Sequence, residues 1–331
     1  MANVSSVVLA GAAWAATAIL WLALIPAGTR GRAWHYGLAL APLAVIVLTA
    51  VTPQSALRDS LLLWILPGGA GVLGVMAVAW LWGTLARNHG IMDICYPAAG
   101  VAVAVLTLAV SGRAPVGPEA LLMVFLVIGA GRLIVQTWGH NIGAERQPYA
   151  HWRARHGKRW LWWSAFQVHL LQGVTLWLWS APIVFALTVP ASVSGPTRWG
   201  FAIAGVAVWL GGFTLQTLAD RQLAAFKAEP ANRGRLLDTG AWAWVRHPNY
   251  LGETLMWAAW FVFALAHPWG WITLFAPLFT GWFMGYASAA PFKEMHMART
   301  RGDAWTAYCA RTPRFLPWPR PRAVAPERNP S

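Results

Sequence analysis

The sequence predicts an all-α fold, a polytopic bundle of about nine transmembrane helices (eight to ten), and three observations lead there. Of its 331 residues 57% are hydrophobic and only 11% charged. The apolar residues gather in runs, most of them long enough to cross a hydrocarbon core of roughly 30 Å as a helix. Lys and Arg are segregated: with the N-terminus outside, 21 of the 25 fall in connections facing the cytoplasm, leaving Arg58, Arg113 and Arg198 outside and Arg132 within a span. That asymmetry is the one the positive-inside rule describes, so the C-terminus is expected in the cytoplasm.

Taken in order, the first span, 5–26, has no basic residue ahead of it, and Arg30 and Arg32 follow it. It reads as a retained span and not as a cleaved signal. The second, 37–52, is short enough to be a re-entrant or interfacial piece instead. The third and fourth, 61–84 and 91–111, are continuous apolar runs, and the fourth carries Asp93 and Tyr96 near its cytoplasmic end. The fifth, 119–137, contains Arg132, whose charge must point into the bundle or snorkel to the surface. A polar connection, 139–159, leads to the sixth span, 164–189, with Gln167, His169 and Gln172 inside it. The seventh, 199–217, feeds a second polar connection, 218–245. The eighth, 248–267, opens at Pro248, whose fixed φ and missing N–H suit a first helical turn. The ninth, 270–289, is followed by a tail that is Pro-rich and polar from 319 to 331 and expected to be disordered. Residues 1–60 read as N-terminal helices, and 61–318 as one membrane domain whose second half, about 218–318, carries most of the candidate chemistry.

The formal charge of +14 is explained mostly by topology and by attraction to anionic lipid. Basic residues scattered over short loops offer no nucleic-acid surface. Cys95 and Cys309 are the two cysteines, and neither they nor the nine His residues have the spacing of a metal site. No internal repeat is found, which speaks against a secondary transporter.

The most informative stretch is Arg246, His247, Pro248, Asn249, Tyr250, Leu251, Gly252, Glu253. On a helix starting at Pro248, Asn249, Tyr250 and Glu253 share a face, so an amide, a phenol and a carboxylate line one stripe. Arg246 and His247 add positive charge where free N–H groups and the helix dipole already favour an anion.

The run of Asp220, Phe226, Lys227, Pro230, Asn232 and Gly240, continuing into Arg246–Glu253, resembles the cofactor half of the membrane steroid 5-alpha-reductase-like family in its bacterial branch. The tail with Glu294, Gly302, Trp305, Tyr308 and Pro313 to Pro317 resembles the end of that half and of the sterol C14 and C7 reductases. Ile91 to Tyr96 with Asp93, and Gln147 to Gln172 with Tyr149, Trp152, Trp162, Ser164, Phe166, Gln167 and Gln172, also resemble the bacterial branch. More distantly, the octet resembles isoprenylcysteine carboxyl methyltransferases, which bind S-adenosylmethionine.

The resemblance implies NADPH-dependent reduction of a carbon–carbon double bond, typically conjugated to a carbonyl, in a lipid or steroid-like substrate at an inner membrane. Its cofactor residues here are Asp220, Lys227, Asn232, Arg233, Arg235, Arg246, His247, Asn249, Tyr250, Glu253, Glu294, Trp305 and Tyr308. Guanidinium groups suit the phosphates, and Trp305 and Tyr308 suit a planar base. Enone reduction also needs a proton donor where charge builds on the carbonyl oxygen. Asp93 and Tyr96, three apart on one helix face, are the catalytic candidates. Arg132, Gln167, His169 and Gln172 are expected to line the substrate cavity. Two other readings are carried: an S-adenosylmethionine-dependent membrane methyltransferase, and a non-catalytic lipid-binding or transport protein. The identity of the lipid is not fixed by the sequence, because apolar burial is non-directional.

Overall fold

The computed structural model describes residues 4–30 and 33–317, and helices are the only regular elements among them. The expected disordered tail lies outside the described residues. The helices are α1 (Val4–Leu24), α2 (Ala33–Val51), α3 (Ser55–Leu85), α4 (Ala98–Ser111), α5 (Pro118–Asn141), α6 (Tyr149–Leu187), α7 (Gly195–Ala228), α8 (Pro248–Ala264), α9 (Phe275–Trp282) and α10 (Ala289–Arg311). Six of them are long and apolar enough to cross a membrane; a seventh span results if the short His89–Cys95 helix and α4, bent by 52°, are counted together. The all-helical membrane bundle is therefore as expected, with six or seven candidate spans among the described residues where nine were expected.

The shortfall lies in the last two expected spans. α8 is only 17 residues long, about 26 Å at 1.5 Å per residue. The ninth is not one helix: a tight turn at Gly270–Leu274, the eight residues of α9 and a widened turn at Phe283–Ala287 divide it. Gly270 is obligatory there, since a Cβ would sit 1.7 Å from the Ala264 carbonyl oxygen.

Two compact units divide the chain: residues 1–206 with 260–276, and 207–259 with 277–331. In the first, α6 is the axis. Between Leu171 and Leu187 its apolar residues are buried nearly all round, among them Trp177, Ile183, Val184 and Phe185, as expected for a helix surrounded by others. α3 and α4 pack on it, and α1 and α2 form a hairpin beside them. At Gly71 the α4 backbone comes within 3.0 Å of where a Cβ would stand, the close approach that small residues permit between helices in lipid. Near Pro67, where α3 widens, Trp64 and Trp177 stack with centroids 4.3 Å apart, and each indole donates to the other's carbonyl oxygen at 2.9 Å. Leu9, Ile19, Val47, Val127 and Ile203 point outward, as bilayer-facing positions do.

In the second unit α10 runs on from the widened turn and is kinked at Gly302, whose φ is +49°. The sequence reading marked these residues as a tail with motifs; the structure makes them a helix whose last turn leads into a non-helical strap, Thr312 to Phe315.

Candidate functional site

The octet begins a helix where Pro248 predicts it, and α7 is the surface that α8 packs on. The two backbones meet at Gly212 and Gly252: a Cβ on either would stand 2.6 Å from the other's carbonyl oxygen. Glycine is required at both positions for this approach. Contact so close brings two polar pairs together. Gln216 Nε2 donates to Glu253 Oε2 at 2.7 Å, and Asn249 Nδ2 donates to Asp220 Oδ1 at 3.2 Å. Gln216 and Asp220 are four apart on α7, as Asn249 and Glu253 are on α8, so two stripes of period four face each other. Trp257 donates its indole N–H to the other Glu253 oxygen at 3.0 Å. A buried carboxylate with donors on both oxygens satisfies the condition under which such a group is tolerated.

Just ahead of α8, a charge cluster holds the strap. Arg246 Nε donates to Glu294 Oε1 at 2.8 Å, and its Nη1 donates to the carbonyl oxygens of Cys309 and Thr312. His247 Nε2 lies 3.2 Å from the same Glu294 oxygen, and Arg314 Nη2 lies 2.7 Å from the other. The Arg246 backbone N–H bonds to Pro313 O. Burial alone would raise the Glu294 carboxyl, but the His247 hydrogen bond and the Arg246 and Arg314 charges outweigh it and hold it at about 2. His247 stacks on Tyr250 with centroids 5.4 Å apart, and the Arg246 guanidinium lies 5.7 Å from the Trp305 ring centre. Phe315 ends the strap, buried against Gly285.

The connection before the octet is pinned to the same unit. Tyr308 donates its hydroxyl to Trp242 O at 2.6 Å, and burial pushes that phenol upward. Trp242 donates to Ala219 O, and Asn232 to Phe226 O. Arg246, His247, Tyr250, Glu294, Trp305 and Tyr308 therefore stand in one connected group, with Asp220 on α7 and Asn249 and Glu253 on α8. Lys227, Arg233 and Arg235 are exposed, outside that group. Sequence reasoning missed Gln216, Gly212 and Arg314. The signal for Gln216 was its spacing of four from Asp220; Arg314 had none beyond charge.

In the first unit Asp93 is partly buried, and the phenol bonded to it is that of Tyr149: Tyr149 Oη donates to Asp93 Oδ1 at 2.8 Å. Spacing along the helix had singled out Tyr96. Asn141 Nδ2 approaches Asp93 Oδ2 at 3.4 Å, and Asn88 Nδ2 donates to Asn141 O at 2.6 Å. Beside this group Glu145 accepts from the His89 N–H at 2.8 Å and from two nitrogens of Arg153 at 2.6 and 2.9 Å. Burial raises the Glu145 carboxyl, but these donors lower it further than burial raises it. Local sequence could not connect Asp93 to Tyr149, 56 residues away; only folding does so.

The expected cavity residues are differently engaged. Gln167 accepts from the Trp21 indole at 3.2 Å and approaches His35 Nε2 at 3.4 Å, joining the α1–α2 hairpin to α6. His169 Nδ1 lies 3.1 Å from Ser164 O, and its ring meets His89 edge-on. Arg132 and Gln172 are partly buried. A cavity of about 380 Å³ in this unit is lined by α1, α2, α3 and α6, and none of these four residues is among its lining. Polar side chains within spans serve helix contacts as readily as ligands, and for Gln167 the contact is visible.

A family described as protein of unknown function, DUF1295, matches residues 79–312. The chain is also similar to the Delta(14)-sterol reductase LBR of Gallus gallus, 34% identical over 97 residues, which is 29% of this chain and 14% of that protein. It is similar to the Delta(14)-sterol reductase TM7SF2 of Mus musculus, 34% identical over 105 residues, 30% of this chain and 23% of that protein. Each match therefore spans less than a quarter of the curated relative.

Proposed function

The chain belongs to the DUF1295 family, a steroid 5-alpha-reductase-like family, and from that premise we propose that it reduces a carbon–carbon double bond conjugated to a carbonyl. The substrate is a lipid or steroid-like molecule of the membrane and the reductant is NADPH, bound on the cytoplasmic side of a bacterial inner membrane. Similarity to two proteins named as Delta(14)-sterol reductases supports the reaction class.

The observation that carries the reading is the charge cluster ahead of α8. Two guanidinium groups, of Arg246 and Arg314, share the single carboxylate of Glu294. One positive charge is left over beside a helix N-terminus, which favours an anion such as a nucleotide phosphate. Arg246 spends Nε and Nη1 on Glu294 and the strap, so its part is to fix the strap and lend charge. Arg314 and the exposed Lys227, Arg233 and Arg235 are the cations assigned to phosphates, with Asp220, Asn232, Asn249, Tyr250 and Trp305 assigned to ribose and base. Tyr308, bonded to Trp242, holds the wall, and Glu253 supports α8 and accepts from an amide.

NADPH, when bound, supplies hydride to the β-carbon of the enone. Negative charge then grows on the carbonyl oxygen, and a positioned donor there contributes roughly 10²–10⁴-fold. Tyr149 is assigned that role, ahead of Tyr96. Its hydroxyl is oriented by Asp93, itself held by Asn141. When Asp93 is protonated the bond between them reverses, and the phenol proton is free for the carbonyl oxygen.

The test is thermal stability of the detergent-purified chain with NADPH, NADH, S-adenosylmethionine or no addition, followed by NADPH consumption with an enone steroid, an unsaturated acyl ester and a polyprenyl ketone. Stabilisation selective for NADPH is expected. Selectivity for S-adenosylmethionine would instead make it a methyltransferase, and no response to any of the three would make it a non-catalytic lipid binder.

A further inference from the structure

The apolar cavity of the first unit has a shape that restricts its occupant. On α1 it is lined by Ala10, Ala13, Trp14 and Thr17, spaced as one helical stripe. α6 contributes Leu170, Gly173, Val174 and Trp177 with the same spacing. Each stripe covers seven residue steps, about 10 Å at 1.5 Å per step, so the cavity is a slot parallel to the helix axes. Small residues on three helices, Ala10 and Ala13, Gly69 and Ala70, and Gly173, make its room. At about 380 Å³ it falls in the range of roughly 300–1,000 Å³ typical of small-molecule sites.

Its polar atoms are already engaged. The Thr17 hydroxyl donates to Ala13 O, the Trp14 indole to Ala39 O and the Trp177 indole to Trp64 O. A ligand carbonyl would find no uncommitted side-chain donor within the slot, and burying one without a partner is costly. The reacting end of an enone is therefore unsuited to it. Beyond Thr17, one turn further along α1, Trp21 joins Gln167 and His35 and closes that end with hydrogen bonds. The outward faces of α1 and α2 carry Leu9, Ile19, Leu20, Val47 and Leu48, so the medium beside the slot is bilayer hydrocarbon.

We propose that the slot binds one acyl chain of a bilayer phospholipid, lying along the membrane normal between the α1–α2 hairpin and α3 with α6. The chain completes the packing of a hairpin that precedes the matched residues 79–312, and the site does not depend on the reductase reading. The recognition is burial of a linear hydrocarbon, without headgroup contacts inside the slot.

The full chain is reconstituted in phosphatidylethanolamine and phosphatidylglycerol vesicles containing a trace of phosphatidylcholine with a mid-chain diazirine. After detergent exchange it is irradiated, and adducts are mapped by peptide mass spectrometry. Adducts are expected on residues 10–17 and 170–177, several-fold above those at the outward Leu20 and Val47. Gly69→Leu is expected to remove the slot adducts, since Gly69 lines the slot and a Cβ there meets nothing nearer than Trp177 Nε1 at 4.0 Å; Ala13→Leu fills the slot from the opposite helix. Slot labelling no higher than outward labelling in the unaltered chain would overturn the proposal without any variant having to fold. So would slot adducts that survive in both folded variants, or a diazirine sterol that labels the slot while the phospholipid does not.

Discussion

Gln216 and Glu253 are bonded at 2.7 Å across the contact where Gly212 and Gly252 let two helices touch. The carboxylate that the octet carries deepest is thus held by α7 and by Trp257 before any ligand is considered. Replacing Gln216 by Leu keeps the volume but leaves one buried oxygen without its donor, a loss of about 1–3 kcal/mol. Thermal unfolding in detergent should show Gln216→Leu destabilised and Gln216→Leu with Glu253→Leu partly recovered. Equal stability of Gln216→Leu and the unaltered chain would contradict a supporting role for the pair.

Backbone contact at Gly212 and Gly252 sets the separation of α7 and α8, so a single methyl is too large. Gly252→Ala should lower the unfolding temperature more than Gly211→Ala, where the glycine is exposed and a Cβ would meet nothing within 4 Å. Overpacking of this kind costs typically 1–3 kcal/mol, or about that. Comparable unfolding temperatures for the two variants would mean that the helices separate freely.

Acid should loosen the strap. The folded Glu294 carboxyl is held at about 2, below its ordinary 4.5. A depressed folded value contributes stability that is present above 4.5 and is lost as pH falls from there towards 2. Stability measured from pH 6 to 3 should therefore decline in the unaltered chain, and Glu294→Gln should be less stable at pH 6 with a shallower decline. An identical slope in Glu294→Gln would locate the acid sensitivity elsewhere.

The helical class, the apolar runs and the start of α8 at Pro248 were legible because each depends on local chemistry: hydropathy, or a ring that fixes φ. What stayed hidden depends on partners distant in sequence. Asp93 finds Tyr149 and not a neighbour on its own turn, and Gln167 is taken up by Trp21, 146 residues earlier. The last expected span is divided for a different reason: Gly270, Pro277, Gly281 and Gly285 keep the run apolar while weakening it as a helix, and hydropathy does not register that. Arg246 was legible as a candidate, but its engagement with the Cys309 and Thr312 carbonyls was not, because the strap has no periodic pattern.

Arg246→Lys separates charge from geometry. Lysine keeps the positive charge but cannot bond Glu294 and two carbonyl oxygens at once from fixed directions, as a planar guanidinium does. If the strap matters to the site through position, Arg246→Lys should lower NADPH-induced stabilisation nearly as far as Arg246→Ala, and the Thr312 to Phe315 backbone should exchange amide hydrogen faster in both. Full NADPH stabilisation in Arg246→Lys would leave charge alone as the contribution of Arg246.

Tyr149→Phe removes the phenol proton and leaves the ring, so it distinguishes proton donation from packing. Provided the chain reduces an enone, turnover should fall roughly 10²–10⁴-fold, the usual worth of a positioned acid, while stabilisation by NADPH is retained because the cofactor residues are untouched. Asp93→Asn should cost less, since an amide still bonds and orients the phenol but cannot return a proton to it. Tyr96→Phe is the necessary companion, because it carries the other phenol that sequence spacing assigns to the same role. Turnover lost in Tyr96→Phe and kept in Tyr149→Phe would transfer the donor role to Tyr96 and reduce the bond between Asp93 and Tyr149 to a helix contact.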